Sequence, residues 1–262
     1  MFRHLNIAAM AAVATLAVST ATFASAQPAR LDQIESRGTL RVGMTGDYRP
    51  FTFLDKKTGK FEGFDVDMAE ALGKAMGVKV EFVKTSWPTL MKDFLADKFD
   101  IATGGVTITL DRQKKGYFSN PVMREGKTPI ARCGEAAKYS TIADIDKPNV
   151  RVIVNPGGTN DRFAHAHFPH AKIEVYKDNV TIFDQIAAGK ADVMVTDSSE
   201  TLFQQKLHHG VLCAVHPKHP FNFAEKGIWM QRDEALRLFI NEWLHTMRET
   251  GGYKAIYAKY FN

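Results

Sequence analysis

Val150-Arg151-Val152-Ile153-Val154-Asn155-Pro156-Gly157-Gly158-Thr159 is the stretch on which the fold turns. Four β-branched residues in a run of five read as a strand, and Pro-Gly-Gly reads as a tight turn. Residues 160–167 then read as a helix. The rhythm continues downstream with a strand at 171–176, a helix at 180–188, and a strand at 191–196 that ends in Asp197. Another helix runs to about residue 207, and a short strand covers 211–215. Upstream, the same rhythm has already run once. An amphipathic opening at 31–37 leads to a strand at 39–44 and a loop at 45–51. Asp65 is a candidate N-cap for a helix with Met68, Leu72 and Met76 at helical spacing. A strand at 78–83, a helix at 87–95 and a strand at 99–102 complete a βαβαβ unit, which implies a parallel sheet with crossover helices.

The chain therefore holds one α/β unit interrupted by another. Residues 127–131 read as a strand leaving the first unit, and 223–229 as a strand returning to it. An amphipathic helix at 234–247 follows, with Leu236, Phe239, Ile240, Trp243 and Met247 on one face. Gly251-Gly252 stops it before a short helix that ends near Phe261. The expected fold is α/β and two-lobed, each lobe a mixed, mostly parallel sheet flanked by helices. Residues 27–127 with 222–262 form the first lobe, and residues 128–221 form a second lobe inserted in it. Two segments, near 123–131 and 217–223, connect the lobes. Paired crossings of that kind make a hinge, with the strand ends of both lobes facing one cleft.

Residues 1–26 read as an export leader. Arg3 and His4 give a basic start, residues 7–23 are small or apolar, and Ala24-Ser25-Ala26 suits cleavage before Gln27. The apolar run is rich in Ala, Ser and Thr, and too short for a comfortable membrane span. No Cys stands at the cleavage site to carry a lipid. Removing the leader leaves about 236 residues, enough for two lobes of about 100–120 each. The composition, 45% hydrophobic and 24% charged, is that of a globular protein placed in the periplasm by the leader. The formal charge of +5 is scattered, with only short pairs such as Lys56-Lys57 and Lys114-Lys115. That argues against nucleic-acid and membrane partners and suits a small anion. Cys133 and Cys213 fall in the same lobe of an exported chain, and a disulfide is favoured over two buried thiols. His165, His167 and His170 lack carboxylate or Cys support, so no metal is expected. Phosphate loops, dinucleotide fingerprints and nucleophile elbows are absent, and no cofactor is expected.

Thr45-Gly46-Asp47-Tyr48-Arg49-Pro50-Phe51, Gly63-Phe64-Asp65-Val66-Asp67-Met68, Thr107 with Arg112, and Thr196-Asp197 resemble the amino-acid-binding solute-binding proteins of ABC importers over essentially the whole mature chain. A narrower resemblance rests on five further motifs. They are Thr85-Ser86-Trp87-Pro88, Gly126-Lys127-Thr128-Pro129, Asn155-Pro156-Gly157-Gly158-Thr159-Asn160, Thr196-Asp197 with Glu200, and Leu212-Cys213-Ala214-Val215-His216-Pro217. Together they are similar to the periplasmic cyclohexadienyl dehydratases, lyases built on the binding-protein fold. That resemblance implies conversion of prephenate to phenylpyruvate and of arogenate to phenylalanine, with no redox cofactor or metal. The other reading is a non-catalytic amino-acid receptor that delivers its ligand to an ABC permease. The oligomeric state, a homo-oligomer included, stays open.

The site residues follow from the same resemblance. Arg112 is the carboxylate anchor, its planar fork matching a carboxylate, with Thr107 beside it. Thr159 begins a helix, where free amides and the dipole favour an anion. Asn155 stands at a strand end and orients a polar substrate group. Glu200 is the proton donor; it lies three residues beyond Asp197, so both could face the cleft from one helix start. A carboxyl beside another carboxylate, partly desolvated, stays protonated, as a general acid requires. Lys127 holds a second carboxylate or tunes Glu200. Trp87 walls the substrate ring, Tyr48 stacks on it, Asp47 bonds its polar groups, and Gly105 allows close backbone approach. Asp197 matches the residue that binds the ligand ammonium in importers. On pattern alone Arg112 and Glu200 read more readily as solvated surface residues, and Trp87 as core.

Overall fold

The computed structural model describes residues 28–261, so the expected leader at 1–26 lies outside the described residues. Two five-stranded sheets dominate. In the first, Thr39–Met44 lies parallel to both Lys79–Lys84 and Ile101–Ala102. Trp229–Met230 runs antiparallel between Ile101–Ala102 and Tyr117–Phe118. In the second, Arg151–Val154 lies parallel to Lys172–Val175 and Val193–Asp197. Lys127–Arg132 runs antiparallel to Val193–Asp197 and to Leu212–Ala214. Lys127 itself pairs with Asp197, so this strand belongs to the second sheet from its first residue.

Apolar runs specify both cores. Leu40, Val42 and Met44 of the first strand are buried against Met68, Leu72 and Met76 of helix Phe64–Met76. Gly43 has no freedom to carry a side chain, because a Cβ there would meet the Phe99 ring at 2.6 Å. Phe94 stacks on Trp229 with centroids 3.6 Å apart. Leu236, Ile240 and Trp243 of helix Glu234–Glu249 are buried in the first core. In the second lobe Val152, Val154, Val193 and Val195 form one cluster with Phe163 and Phe168. A Cys133–Cys213 disulfide ties the end of one strand to its neighbour. Among the described residues no helix is long and apolar enough to cross a membrane.

Three local expectations change. The return at 223–229 is two strands: Ala224–Lys226 pairs with Met123–Glu125, and only Trp229–Met230 joins the first sheet. Gly227 makes the switch, its N–H donating to the Val106 carbonyl. The 45–51 loop contributes strand Asp47–Tyr48 to a small sheet with Thr52–Leu54 and Phe61–Glu62. Two-residue strands are too short for a periodic signal. Asp65 does not cap its helix, because Gly63 is the N-cap and no side chain caps it. Instead the buried Asp65 carboxylate accepts the amides of Gly104 at 2.8 Å and Gly105 at 2.6 Å.

The Asp65 pairing holds the Gly104-Gly105 loop that borders the cleft, and it satisfies two buried donors at once. Asp65→Ala should therefore destabilise the fold by about 2–4 kcal/mol, since each orphaned amide carries its own desolvation penalty. Asp65→Asn, which keeps an acceptor oxygen, should cost less. Urea unfolding of the two variants measures the difference.

Candidate active site

The site is built around Asp197, the last residue of its strand and the residue preceding helix Ser198–Leu207. Asp197 does not cap that helix. Its carboxylate is buried and fully engaged. Lys127 Nζ donates to Oδ1 at 2.8 Å, and Lys226 Nζ and the Tyr48 hydroxyl donate to Oδ2. Lys127 also donates to Thr159 Oγ1 at 3.1 Å and to Asn160 Oδ1. Lys226 donates to Thr107 Oγ1 at 2.9 Å and pairs with Glu125 Oε1 at 3.2 Å. Tyr48 comes from the short strand Asp47–Tyr48 and Thr107 from a loop of the first lobe, Lys127 and Asp197 from the second sheet, and Lys226 from the crossing strand. One ionic cluster thus spans both lobes and the hinge.

Burial opposes the Asp197 charge, but Lys127 and Lys226 overcome it and hold this carboxyl far below the ordinary range. Burial also opposes the Lys226 charge, which Asp197 and Glu125 restore, so its pKa rises. Burial lowers Lys127 in spite of Asp197, and the charge of Lys226 adds to the fall. Glu125 is pushed up by burial against the pull of Lys226. Its Oε2 accepts the Ser199 hydroxyl at 2.5 Å, which fastens the hinge strand to the start of the Asp197 helix.

A small cavity lies beside the cluster. Six expected residues line it: Tyr48, Trp87, Gly105, Asn155, Thr159 and Asp197. Gly105 lies so close to Tyr48 that a Cβ would meet the ring at 2.5 Å, with φ at +76°. Phe51 stacks on Tyr48 at 5.3 Å. Tyr48 therefore offers a hydroxyl, not the free ring face expected for stacking, and Trp87, edge-on to it at 5.5 Å, is the remaining aromatic wall. Asn155 accepts from Asn160 Nδ2 at 3.2 Å, and its own amide nitrogen has no protein partner among the described residues. Gly158 precedes helix Thr159–His167 without a side-chain cap, so the first amides of that helix remain available to an anion.

Arg112 lies in the short helix Leu110–Gln113 and is buried. Nη1 donates to the Thr107 carbonyl at 2.7 Å, leaving the rest of the fork free of protein partners among the described residues. Burial lowers its pKa to about 10, and the charge of nearby Arg162 acts in the same direction. Thr107, Lys127 and Thr159 also border a neighbouring groove.

Glu200 faces a different recess from Asp197, which separates two residues expected on one wall. It lines a small cavity with Asp47, Arg49, Asn179 and Gln204. The residue is buried, and its Oε2 accepts the Thr196 hydroxyl at 2.5 Å. Thr196 in turn accepts from Asn160 Nδ2 at 2.9 Å, so a chain of hydrogen bonds runs from Glu200 through Thr196 and Asn160 to Lys127. Burial raises the Glu200 carboxyl well above its ordinary pKa against the Thr196 bond, and the charge on Asp197 raises it further. Asp47 is likewise raised by burial, and its carbonyl accepts Asn179 Nδ2 at 2.9 Å across the cleft.

Sequence reasoning passed over Lys226, Asn160, Thr196, Glu125 and Asp65. Lys226 carried one signal: it stands beside Glu225 as one of two charges in a run read as a returning strand. The others are ordinary polar residues, most of whose partners lie far along the chain.

The family of bacterial extracellular solute-binding proteins, family 3, matches residues 40–262. Cyclohexadienyl dehydratase of Pseudomonas aeruginosa is 50% identical over 250 residues, 95% of this chain and 91% of that one. An ancestral amino acid-binding protein, a precursor of cyclohexadienyl dehydratase, superposes with a TM-score of 0.81 at 40% identity, covering 88% of this chain and 99% of its own. An ancestral cyclohexadienyl dehydratase superposes with a TM-score of 0.57 at 51% identity, covering 90% and 98%.

The raised pKa of Glu200 has a stability consequence. Its folded value exceeds its unfolded value, so the folded state holds the proton longer. The stability this contributes is whole below about pH 4 and is lost as pH rises toward the folded value. Between pH 5 and pH 8 the wild-type protein should lose more unfolding free energy than Glu200→Gln does. Denaturant titrations at the two pH values measure this. Equal slopes would mean that Glu200 titrates as a surface glutamate.

Proposed function

From the premise that the chain belongs to the bacterial extracellular solute-binding proteins, family 3, we propose that its cleft closes over a substrate in order to transform it. The chain is a lyase of the cyclohexadienyl dehydratase type and works in the periplasm. The reaction is loss of water and carbon dioxide from prephenate to give phenylpyruvate, and from arogenate to give phenylalanine. The observation that carries the reading is Glu200, a buried carboxyl kept protonated at the edge of a strongly cationic cleft. A receptor that only holds and releases its ligand has no use for a proton donor.

Prephenate carries a side-chain carboxylate, a ring carboxylate and a ring hydroxyl. The ring carboxylate leaves as carbon dioxide, and its bonding electrons enter the ring. The ring expels the hydroxyl, which takes a proton from Glu200 and departs as water. The ring becomes aromatic, which supplies the driving force. The prephenate dianion and one proton give the phenylpyruvate monoanion, carbon dioxide and water, and Glu200 regains its proton from solvent when the cleft reopens. Arg112 and Thr107 hold a carboxylate. The amides at Thr159 and the amide group of Asn155 orient the polar groups of the other end. Trp87 walls the ring, and closure excludes water.

The moving bodies of this closure are residues 27–127 with 222–262 and residues 128–221, with Lys127 at the junction. Cleavage of the export leader before Gln27 completes the mature chain.

Purified mature protein should release phenylpyruvate from prephenate, followed by the product's ultraviolet absorbance in base. Glu200→Gln should lower kcat by a factor on the order of 10²–10⁴ with KM little changed, because only the proton transfer is lost. Tight binding of a free amino acid by a wild-type protein with no turnover would sink the lyase reading.

A further inference from the structure

We propose that the recess beside Glu200 is the path by which this acid regains its proton, and that Gln204 and Asn179 are positioning residues that hold a relay water there. The proposal rests on the lyase reading, in which Glu200 gives its proton to the departing hydroxyl.

Glu200, Gln204 and Leu207 stand at i, i+4 and i+7 of helix Ser198–Leu207, so they share one face, and all three border the recess. Exposure climbs along that face, from 1% at Glu200 through 5% at Gln204 to 57% at Leu207. The face therefore leads from the buried acid to bulk solvent. Asp47 and Arg49 border the recess from the first lobe, and Asn179 from the second.

The recess is polar where a core would be apolar. Asn179 and Gln204 are both buried, yet Asn179 Oδ1 and Gln204 Oε1 have no hydrogen-bond partner among the described residues, and the same is true of Asp47 Oδ1. Bare buried acceptors are costly, and a bound water removes that cost. Donors are present as well. The Arg49 guanidinium lies over the Phe53 ring at 3.4 Å and makes no hydrogen bond to protein among the described residues. The cavity is about 20 Å³, room for a water and for no larger ligand.

The hydrogen-bond directions decide which oxygen of Glu200 meets this water. Thr196 Oγ1 accepts from Asn160 Nδ2 and donates to Glu200 Oε2, so the acid proton resides on Oε1. The departing hydroxyl takes that proton as its carbon–oxygen bond breaks and the bonding pair leaves with the oxygen, which yields water and a Glu200 carboxylate. No proton returns through Thr196, because the Asn160 amide behind it has none to give. The return is on the recess side. A hydronium in solvent passes a proton to the recess water, which passes one of its own to Oε1, so that hydronium and carboxylate become water and carboxylic acid. Asn179 ties this path to the lobes, since its Nδ2 donates to the Asp47 carbonyl at 2.9 Å across the cleft. Reopening parts that contact and widens the recess to solvent.

The test compares the wild-type protein with Gln204→Leu, which keeps the bulk and removes the polar atoms, and with Leu207→Trp, which covers the exposed mouth. The first readout is infrared. The band of the protonated Glu200 carboxyl, identified by its loss in Glu200→Gln, shifts as the proton exchanges for deuterium, and rapid mixing with heavy water times the shift. Both variants should slow this exchange at least tenfold. The second readout is kinetic. A single turnover of prephenate in Gln204→Leu should run within twofold of the wild-type rate, while steady-state kcat falls at least tenfold and leaves a burst of one phenylpyruvate per site. A loss of packing alone would lower both rates together. Leu207 is exposed, so its variant keeps the test alive if Gln204→Leu does not fold. The exchange arm needs no turnover, which separates failure of the path from failure of the lyase reading. Wild-type exchange rates in the folded variants, or equal losses in the single-turnover and steady-state rates, would overturn the proposal.

Discussion

The pairing of Asp197 with Lys127 and Lys226 is the interaction on which the rest of the site depends. All three groups are buried, and burying such charges is costly unless each finds an opposite partner and further hydrogen bonds. The cluster meets that condition only when both lobes are present. Tyr48 and Thr107 complete it from the first lobe, and Asn160 and Thr159 from the second. Lys127 and Asp197 already face each other on adjacent strands of the second sheet, and the contacts of Tyr48 and Thr107 are the ones that join the lobes. Removing one partner inside the closed cleft would leave an uncompensated charge, a loss of about 3–5 kcal/mol.

The same cluster divides labour between two acids on one helix start. Asp197 and Glu200 are three residues apart, yet their protons are driven in opposite directions. Two lysines hold Asp197 toward its charged form, and burial drives Glu200 toward its neutral form, assisted by the charge of Asp197. Environments that split similar groups in this way mark acid and base assignments in enzymes. Here one acid organises the cations and the other is left able to give up a proton.

The sheets were largely legible because apolar strands and amphipathic helices carry their own periodicity. Strand Thr39–Met44 and helix Ser198–Leu207 appear at the bounds their patterns imply. The small sheet around Asp47 was not legible, since two-residue strands have no period, and neither was the break at Gly227. At the site, the family resemblance brought forward Tyr48, Trp87, Gly105, Asn155, Thr159 and Asp197, which line one cavity. Lys226 escaped because its partners, Thr107 and Asp197, lie 119 and 29 residues away. Asp65 was misread for a related reason. An acid in a first helical turn is a good cap by local rules, and only the tertiary fold brings up the Gly104 and Gly105 amides that claim it.

Under the lyase reading proposed above, the cations also constrain which substrate carboxylate sits where. A carboxylate that departs as carbon dioxide loses its charge as the bond breaks. An ion pair to it stabilises the ground state more than the transition state, and so slows the reaction. The bidentate capacity of Arg112 therefore belongs on the side-chain carboxylate, which survives unchanged into the product. The departing carboxylate belongs on a less charged wall, such as the one Trp87 supplies. Lys127 cannot take the second carboxylate as its main partner, because its ammonium is already divided among Asp197, Asn160 and Thr159. Its stronger effect is to keep Asp197 ionised. Loss of carbon dioxide then removes one of the two charges that matched the cationic excess of the closed cleft. The product is held less firmly than the substrate was, so the chemical step itself favours reopening.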